Sequence, residues 1–154
     1  MVNEMQPALQ PLPVLTFLLG EQQYALPIES VVEVAVMVEL TRIINASPAV
    51  LGVANRHGNV LPILDLRQVM NLGDVALDDN TLFIVAQNAQ QEMIGLVVDQ
   101  VTHVQYLDAT DIRAGGVNQH IEGICSHGVE LIQILNIDSI MNAYLPRAEV
   151  VEGE

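Results

Sequence analysis

The second half of this chain repeats the first, and no other feature of the sequence limits its folding as tightly. Gly52-Val53, His57-Gly58, Ile63-Leu64-Asp65-Leu66 and Val69-Met70-Asn71 are answered by Gly123-Ile124, His127-Gly128, Ile134-Leu135-Asn136-Ile137 and Ile140-Met141-Asn142. The spacing is 71 residues, slipping to 70 at the His-Gly pair. Upstream, Glu29, Val31 and Val34 correspond to Asp99, Val101 and Val104 at a spacing of 70. Two similar subdomains of about 65 residues follow, and units that small have marginal cores by themselves. They are expected at about 14–73 and 81–145, joined near 74–80, packed on each other across an apolar seam, with exchange of strands left open. An extended leader over 1–13 and an acidic tail over 146–154 flank them.

Each unit reads as strands. Val, Ile and Leu fall in short runs punctuated by turn residues, at 14–19, 23–26, 34–38, 52–56, 60–64, 82–86, 93–98, 103–107, 121–126 and 129–135. His57-Gly58-Asn59 and His127-Gly128 sit where tight hairpin turns belong. Pro27 suits the first position of a helical turn over 28–32. Asp65 caps a short helix over 66–71 that stops at Gly73. Asn136 caps a second, whose Ile137, Ile140, Met141 and Tyr144 recur at helical spacing. The run Val34-Ala35-Val36-Met37-Val38 lacks polar alternation, so it is buried on both faces or forms a patch that a partner covers. The fold class is all-β with a few short helices, built as small barrels or a sandwich.

Composition removes several functions. The chain is 51% hydrophobic, ample for a core, and carries 5 Arg and no Lys against 19 acidic residues, a net charge of −14. A nucleic-acid binder or a protein held on an anionic membrane needs clustered cations. No apolar run approaches the ~18 residues of a membrane span, and the start lacks the pattern of a signal peptide. A cytoplasmic protein is expected. One cysteine, Cys125, makes no internal disulfide.

Catalytic and cofactor chemistry is sparse. No GxGxxG or P-loop motif occurs, and no cofactor is implied. Cys125 and His127 share a strand face at i and i+2; the ordinary reading is a buried thiol beside a turn histidine. His57, His103, His120 and His127 have no paired metal-ligand spacing. Asn136 stands where the first unit has Asp65, so no carboxylate dyad forms across the repeat. The enzyme or metal alternative rests on His57, Cys125 and His127.

The stretches FLLGEQQYALPIESVVEV, TRIINASPAVLGVANRHGNVLPILDLR, IGLVVDQVTHV and IEGICSHG with LIQILNIDSIM, in that order, resemble the CheW family of bacterial chemotaxis adaptors. Gly52, Asn55, Gly58, Pro62, Asp65, Leu66 and Arg67 carry the likeness, which spans nearly all of 14–145. The resemblance implies two SH3-like five-stranded β-barrels on a shared core, and a non-catalytic scaffold. That scaffold bridges the helical hairpin at a chemoreceptor's cytoplasmic tip to the regulatory domain of a CheA-type histidine kinase, at membrane receptor arrays, with CheW-like paralogues in rings as further partners. It implies receptor contact at Val31, Glu33, Gly52, Asn55, Arg56 and His57 in a groove between the barrels, and kinase contact at Val36, Met37, Val38 and Arg42. One departure stands out. The family's turn reads Asn-Leu-Arg-Gly, and here it is Asn55-Arg56-His57-Gly58, with histidine in the arginine position; Ala35 also replaces an often basic residue. Either Arg56 substitutes for that arginine or the site has diverged toward another receptor or a pilus-motility system.

Overall fold

In a computed structural model, residues 11–74, 76–115 and 118–145 are described. The expected leader up to residue 10 and the expected tail over 146–154 lie outside them. Among the described residues there are eleven strands: β1 (Leu12–Leu19), β2 (Gln22–Pro27), β3 (Val31–Val36), β4 (Val50–Arg56), β5 (Asn59–Asp65), β6 (Leu82–Gln87), β7 (Met93–Val98), β8 (Gln100–Leu107), β9 (Ile112–Ala114), β10 (Ile121–His127) and β11 (Glu130–Leu135). Two helices, α1 (Leu66–Val69) and α2 (Ile137–Tyr144), close the two halves. Asp65 and Asn136 cap them, accepting from the backbone N–H of Arg67 and Ser139. Pro27 precedes a single 3-10 turn, Ile28–Ser30.

The strands form two sheets that mix the halves. One has the order β8-β1-β2-β11-β10-β9 and the other β3-β6-β7-β5-β4. Each hairpin near the start of a half, β1–β2 or β6–β7, therefore sits beside the closing strand of the other half. The joints are the parallel pairs β2–β11 and β7–β5, and their registers, Ala25 with Ile134 and Gly95 with Ile63, obey the sequence repeat. The bulges between Val50 and Gly52 and between Ile121 and Gly123 are also repeat-equivalent.

Side chains alternate across a strand, so a strand buried on both faces feeds two cores at once. On β1, Val14 enters a cluster with Ala25, Leu107, Cys125, Ile132 and Ile134 inside the six-stranded sheet. On β6 and β7, Phe83, Val85 and Val97 enter the matching cluster of the five-stranded sheet with Ala54, Leu61 and Ile63. Their alternate residues, Leu15, Phe17, Leu19, Ile84, Ala86, Ile94, Leu96 and Val98, join a third, larger cluster together with α1 and α2. That third cluster is the apolar seam between the two barrels. β6, β7 and most of β1 read as near-continuous apolar runs because both of their faces are largely buried.

Three local expectations change. The second hairpin turns at Gly128-Val129 rather than His127-Gly128, because His127 pairs with Glu130 and Gly128 takes the left-handed φ of 67°. The short β9 adds an edge strand that its sequence does not advertise. The run 34–38 is neither buried on both faces nor wholly exposed. Ala35 and Met37 pack on the five-stranded cluster, while Val34, Val36 and Val38 face outward.

Gly52 explains how the strap after β3 crosses β4. Thr41 and Val53 exchange backbone hydrogen bonds of 2.8 Å, and a Cβ at Gly52 would stand 2.6 Å from the Thr41 carbonyl oxygen. Its φ of 149° is also one that side chains avoid. Gly52→Ala is expected to cost about 2–3 kcal/mol in urea unfolding. Gly58→Ala, with φ of 85° but open space around the added carbon, should cost about 1 kcal/mol. Equal costs would mean that the strap does not press on Gly52.

Candidate functional site

Two elements bring the expected contact residues together: β3, at the edge of the five-stranded sheet, and the β4–β5 turn at its other end. Val31 packs against the seam cluster and Val32 faces out. Val32, Val34, Val36 and Val38 form an outward stripe, with Val36 53% exposed. Met37 is turned inward, and its N–H donates to the Thr81 carbonyl at 2.7 Å. Arg42 is exposed on the strap. Of the residues expected to meet a kinase, Val36, Val38 and Arg42 are thus outward, while Met37 supports them from behind. Val32 and Val34 are not among the expected contacts, although period-2 alternation from Val36 finds them.

The turn itself is a two-residue hairpin loop. His57 and Gly58 both have positive φ, 54° and 85°, as the hairpin twist requires. Asn55 Oδ1 accepts the Gly58 N–H at 3.1 Å and so braces the loop. Asn55 and His57 are exposed, as is their neighbour Val60. Gly52 is buried beneath the strap and shapes the site through its backbone. Arg56 points back across the sheet, where its Nε donates to Glu33 Oε2 on β3. That hydrogen bond, followed by the charges of Arg56 and His57, holds the Glu33 carboxyl below the usual glutamate range. Arg56 is therefore engaged within the chain, and His57 alone occupies the tip.

The remaining titratable groups are dispersed. His103 is exposed on edge strand β8. His120 is buried, with Nδ1 2.8 Å from Ser139 Oγ and its ring against Tyr144; burial pushes its pKa down. Cys125 lies inside the six-stranded sheet, where burial, then Asp111 and Asp108, push the thiol up. A thiol held protonated is a poor nucleophile. Among the described residues, no three His, Cys, Asp or Glu groups come close enough to hold a metal ion, and no helix is long and apolar enough to cross a membrane. A cleft of about 420 Å³ opens at the seam between Glu29, Asn88, Glu122 and Asp138. None of the expected contact residues lines it.

A second ion pair fixes the seam. Arg67, in the first turn of α1, forks onto Asp99 between β7 and β8, with Nε to Oδ1 at 2.8 Å and Nη2 to Oδ2. Asp99 Oδ2 also accepts the Gly20 N–H of the β1–β2 turn at 2.6 Å. Three chain segments, drawn from both halves, therefore meet at one carboxylate.

Comparison with known proteins bears on this arrangement. A family model described as a CheW-like domain matches residues 13–144. The chemotaxis protein CheW of Klebsiella aerogenes is 31% identical over 135 residues, covering 84% of this chain and 81% of that one. The chemotaxis protein CheW of Helicobacter pylori is 28% identical over 130 residues, covering 81% and 78%. Among solved structures, the scaffolding protein TtCheW from Thermoanaerobacter tengcongensis superposes with a TM-score of 0.75 at 26% identity, covering 82% of this chain and 89% of that one.

The Arg67 hydrogen bonds, against the opposing effect of burial and with help from Gly20, hold the Asp99 carboxyl below the ordinary aspartate value. A depressed carboxylate stabilises the fold above its unfolded pKa and loses that contribution as pH falls through its folded pKa. Asp99→Asn should lower stability at pH 7 by about 1 kcal/mol, with solvent screening allowed for. The gap between variant and parent should shrink as pH drops below about 4. A pH-independent gap in urea unfolding would contradict the assignment.

Proposed function

The chain belongs to the CheW-like domain family, a family of non-catalytic chemotaxis scaffolds, and from that premise we propose that it couples chemoreceptors to a CheA-type histidine kinase. It works in the cytoplasm and is recruited to receptor arrays at the membrane. The receptor site is built from Val31, Glu33, Gly52, Asn55, Arg56 and His57: Asn55 and His57 present exposed side chains, and the others shape the edge and the turn that carry them. Kinase contact falls on Val36, Val38 and Arg42, with Met37 behind them, and CheW-like paralogues share the rings. The observation that carries this reading is the outward stripe Val32, Val34 and Val36 on edge strand β3, continued by Val38 just beyond it, with the other face packed. An apolar stripe of spaced side chains suits the apolar face of a partner helix or a partner's sheet edge. Pull-down with the regulatory domain of a CheA-type kinase and with a chemoreceptor cytoplasmic fragment should recover both, and Val36→Asp should lose the kinase domain while the fold is kept. Recovery of neither partner by the parent chain would remove the proposal.

One observation favours a second reading, an adaptor retuned to a different receptor. With Arg56 tied to Glu33, the turn tip presents an imidazole where the resembling family presents a guanidinium, and these groups are not interchangeable in charge or hydrogen-bond geometry. Under this reading His57→Arg gains binding to ordinary chemoreceptor fragments. No gain would remove its support.

A further inference from the structure

The two barrels close differently. In the six-stranded sheet the segment after β8 forms β9, which pairs with β10 through Ala114–Gly123, Arg113–Ile124 and Ile112–Cys125. In the five-stranded sheet the segment after β3 makes one isolated bridge, Thr41 with Val53. Thr41 meets the middle of β4, which runs on three residues to Arg56. Beyond the bridge, β3 and the turn end of β4 stand at opposite ends of the sheet order, with no described strand pairing between them. The Glu33–Arg56 pair spans that gap. By strand register the counterparts in the other half are His103 on β8 and His127, which ends β10 as Arg56 ends β4, so opposite charges are not offered there. An ion pair is present where backbone closure is short.

We propose that Glu33 and Arg56 are positioning residues: they clasp edge strand β3 to the His57-Gly58 turn and hold the two parts of the partner site in one geometry. The inference rests on the coupling function proposed above only for its consequence in binding; the clasp itself is a property of the free protein. Two features of the site make a clasp effective. His57 is held in a left-handed conformation, so the direction of the tip depends on what anchors the turn. β3 is paired on one side only, to β6, with a bulge between Val31 and Glu33, and a bulged edge is prone to local opening. Arg56 holds both by side-chain contact. Glu33 Oε2 is committed to that contact. Arg56 likewise has its Nε committed. The exposed side chains left to the receptor at the turn are then Asn55 and His57, beside the valine stripe assigned above to the kinase.

Amide hydrogen exchange on the full chain tests the clasp without any partner. Arg56→Gln and Glu33→Gln should each speed exchange roughly fivefold at β3 and the turn together, while β10 and β11 stay unchanged. The charge swap Glu33→Arg with Arg56→Glu should restore slow exchange. Arg56→Lys, which keeps the charge but loses the Nε–H donor, should fall between. Binding to a chemoreceptor cytoplasmic fragment, read in parallel, should fall with each single change and return with the swap. Unchanged exchange in the single variants overturns the clasp. So does a swap that restores exchange but not binding, since the partner then reads Glu33 or Arg56 directly. Absence of binding by the parent chain refutes the coupling function alone, and exchange still decides the clasp. Circular dichroism melting checks that each variant is folded, and a swap variant that does not fold leaves Arg56→Lys as the rescue arm.

Discussion

The seam cluster is the interaction on which the rest of the structure depends. Leu15, Phe17, Leu19, Tyr24 and Leu26 from one hairpin meet Ile84, Ala86, Ile94, Leu96 and Val98 from the other, with α1 and α2 filling in from both halves. The two smaller clusters inside the sheets hold six buried residues each, too few to stabilise a subdomain of this size unaided. A fully buried Leu or Ile side chain contributes about 1.5–3 kcal/mol of transfer free energy. The seam therefore supplies most of what each barrel lacks. Because every hairpin strand gives one face to a barrel and the other to the seam, neither barrel can be assembled without beginning the seam.

This arrangement determines which surfaces stay free. With the hairpins consumed by burial, the surfaces left free are the edges of the sheets and the tips of the late hairpins. β3 and β8 are the repeat-equivalent edges, and their outward residues correspond, Val34 with Val104 and Val36 with Tyr106. They are not chemically equal. The β3 edge adjoins an ion pair and a histidine turn, whereas the β8 edge runs past Thr102, whose hydroxyl bonds the fully buried Thr16. A duplicated fold thus presents two related edges of different character. The central carboxylate of Asp99, bonded to Arg67 and Gly20, ties segments from both halves without occupying either edge.

Much of this is legible in the sequence. The 71-residue repeat carries the pseudo-symmetry, Asp65 and Asn136 mark their helices as caps, and the ordered motifs point to the family. Strand pairing across the halves is less accessible. Period-2 alternation says which residues share a face, but nothing in it names the neighbouring strand, and the β2–β11 partners lie more than 100 residues apart. The three-residue β9 is too short to show a pattern. The turn at Gly128 reads one residue too early because His-Gly looks alike in both halves, while pairing of His127 with Glu130 settles its register. The engagement of Arg56 with Glu33 is invisible in the sequence for a related reason: two residues 23 apart, on strands at opposite ends of one sheet, meet only after the barrel curls.

If the seam joins both barrels into one folding unit, scanning calorimetry tests it directly. Leu96 is fully buried in the seam cluster, and Leu96→Ala removes about 2–5 kcal/mol from such a site. One heat-absorption peak is expected for parent and variant alike, with calorimetric and van't Hoff enthalpies that agree and the variant peak displaced downward as a whole. Two resolved peaks, only one of which moves, would contradict it.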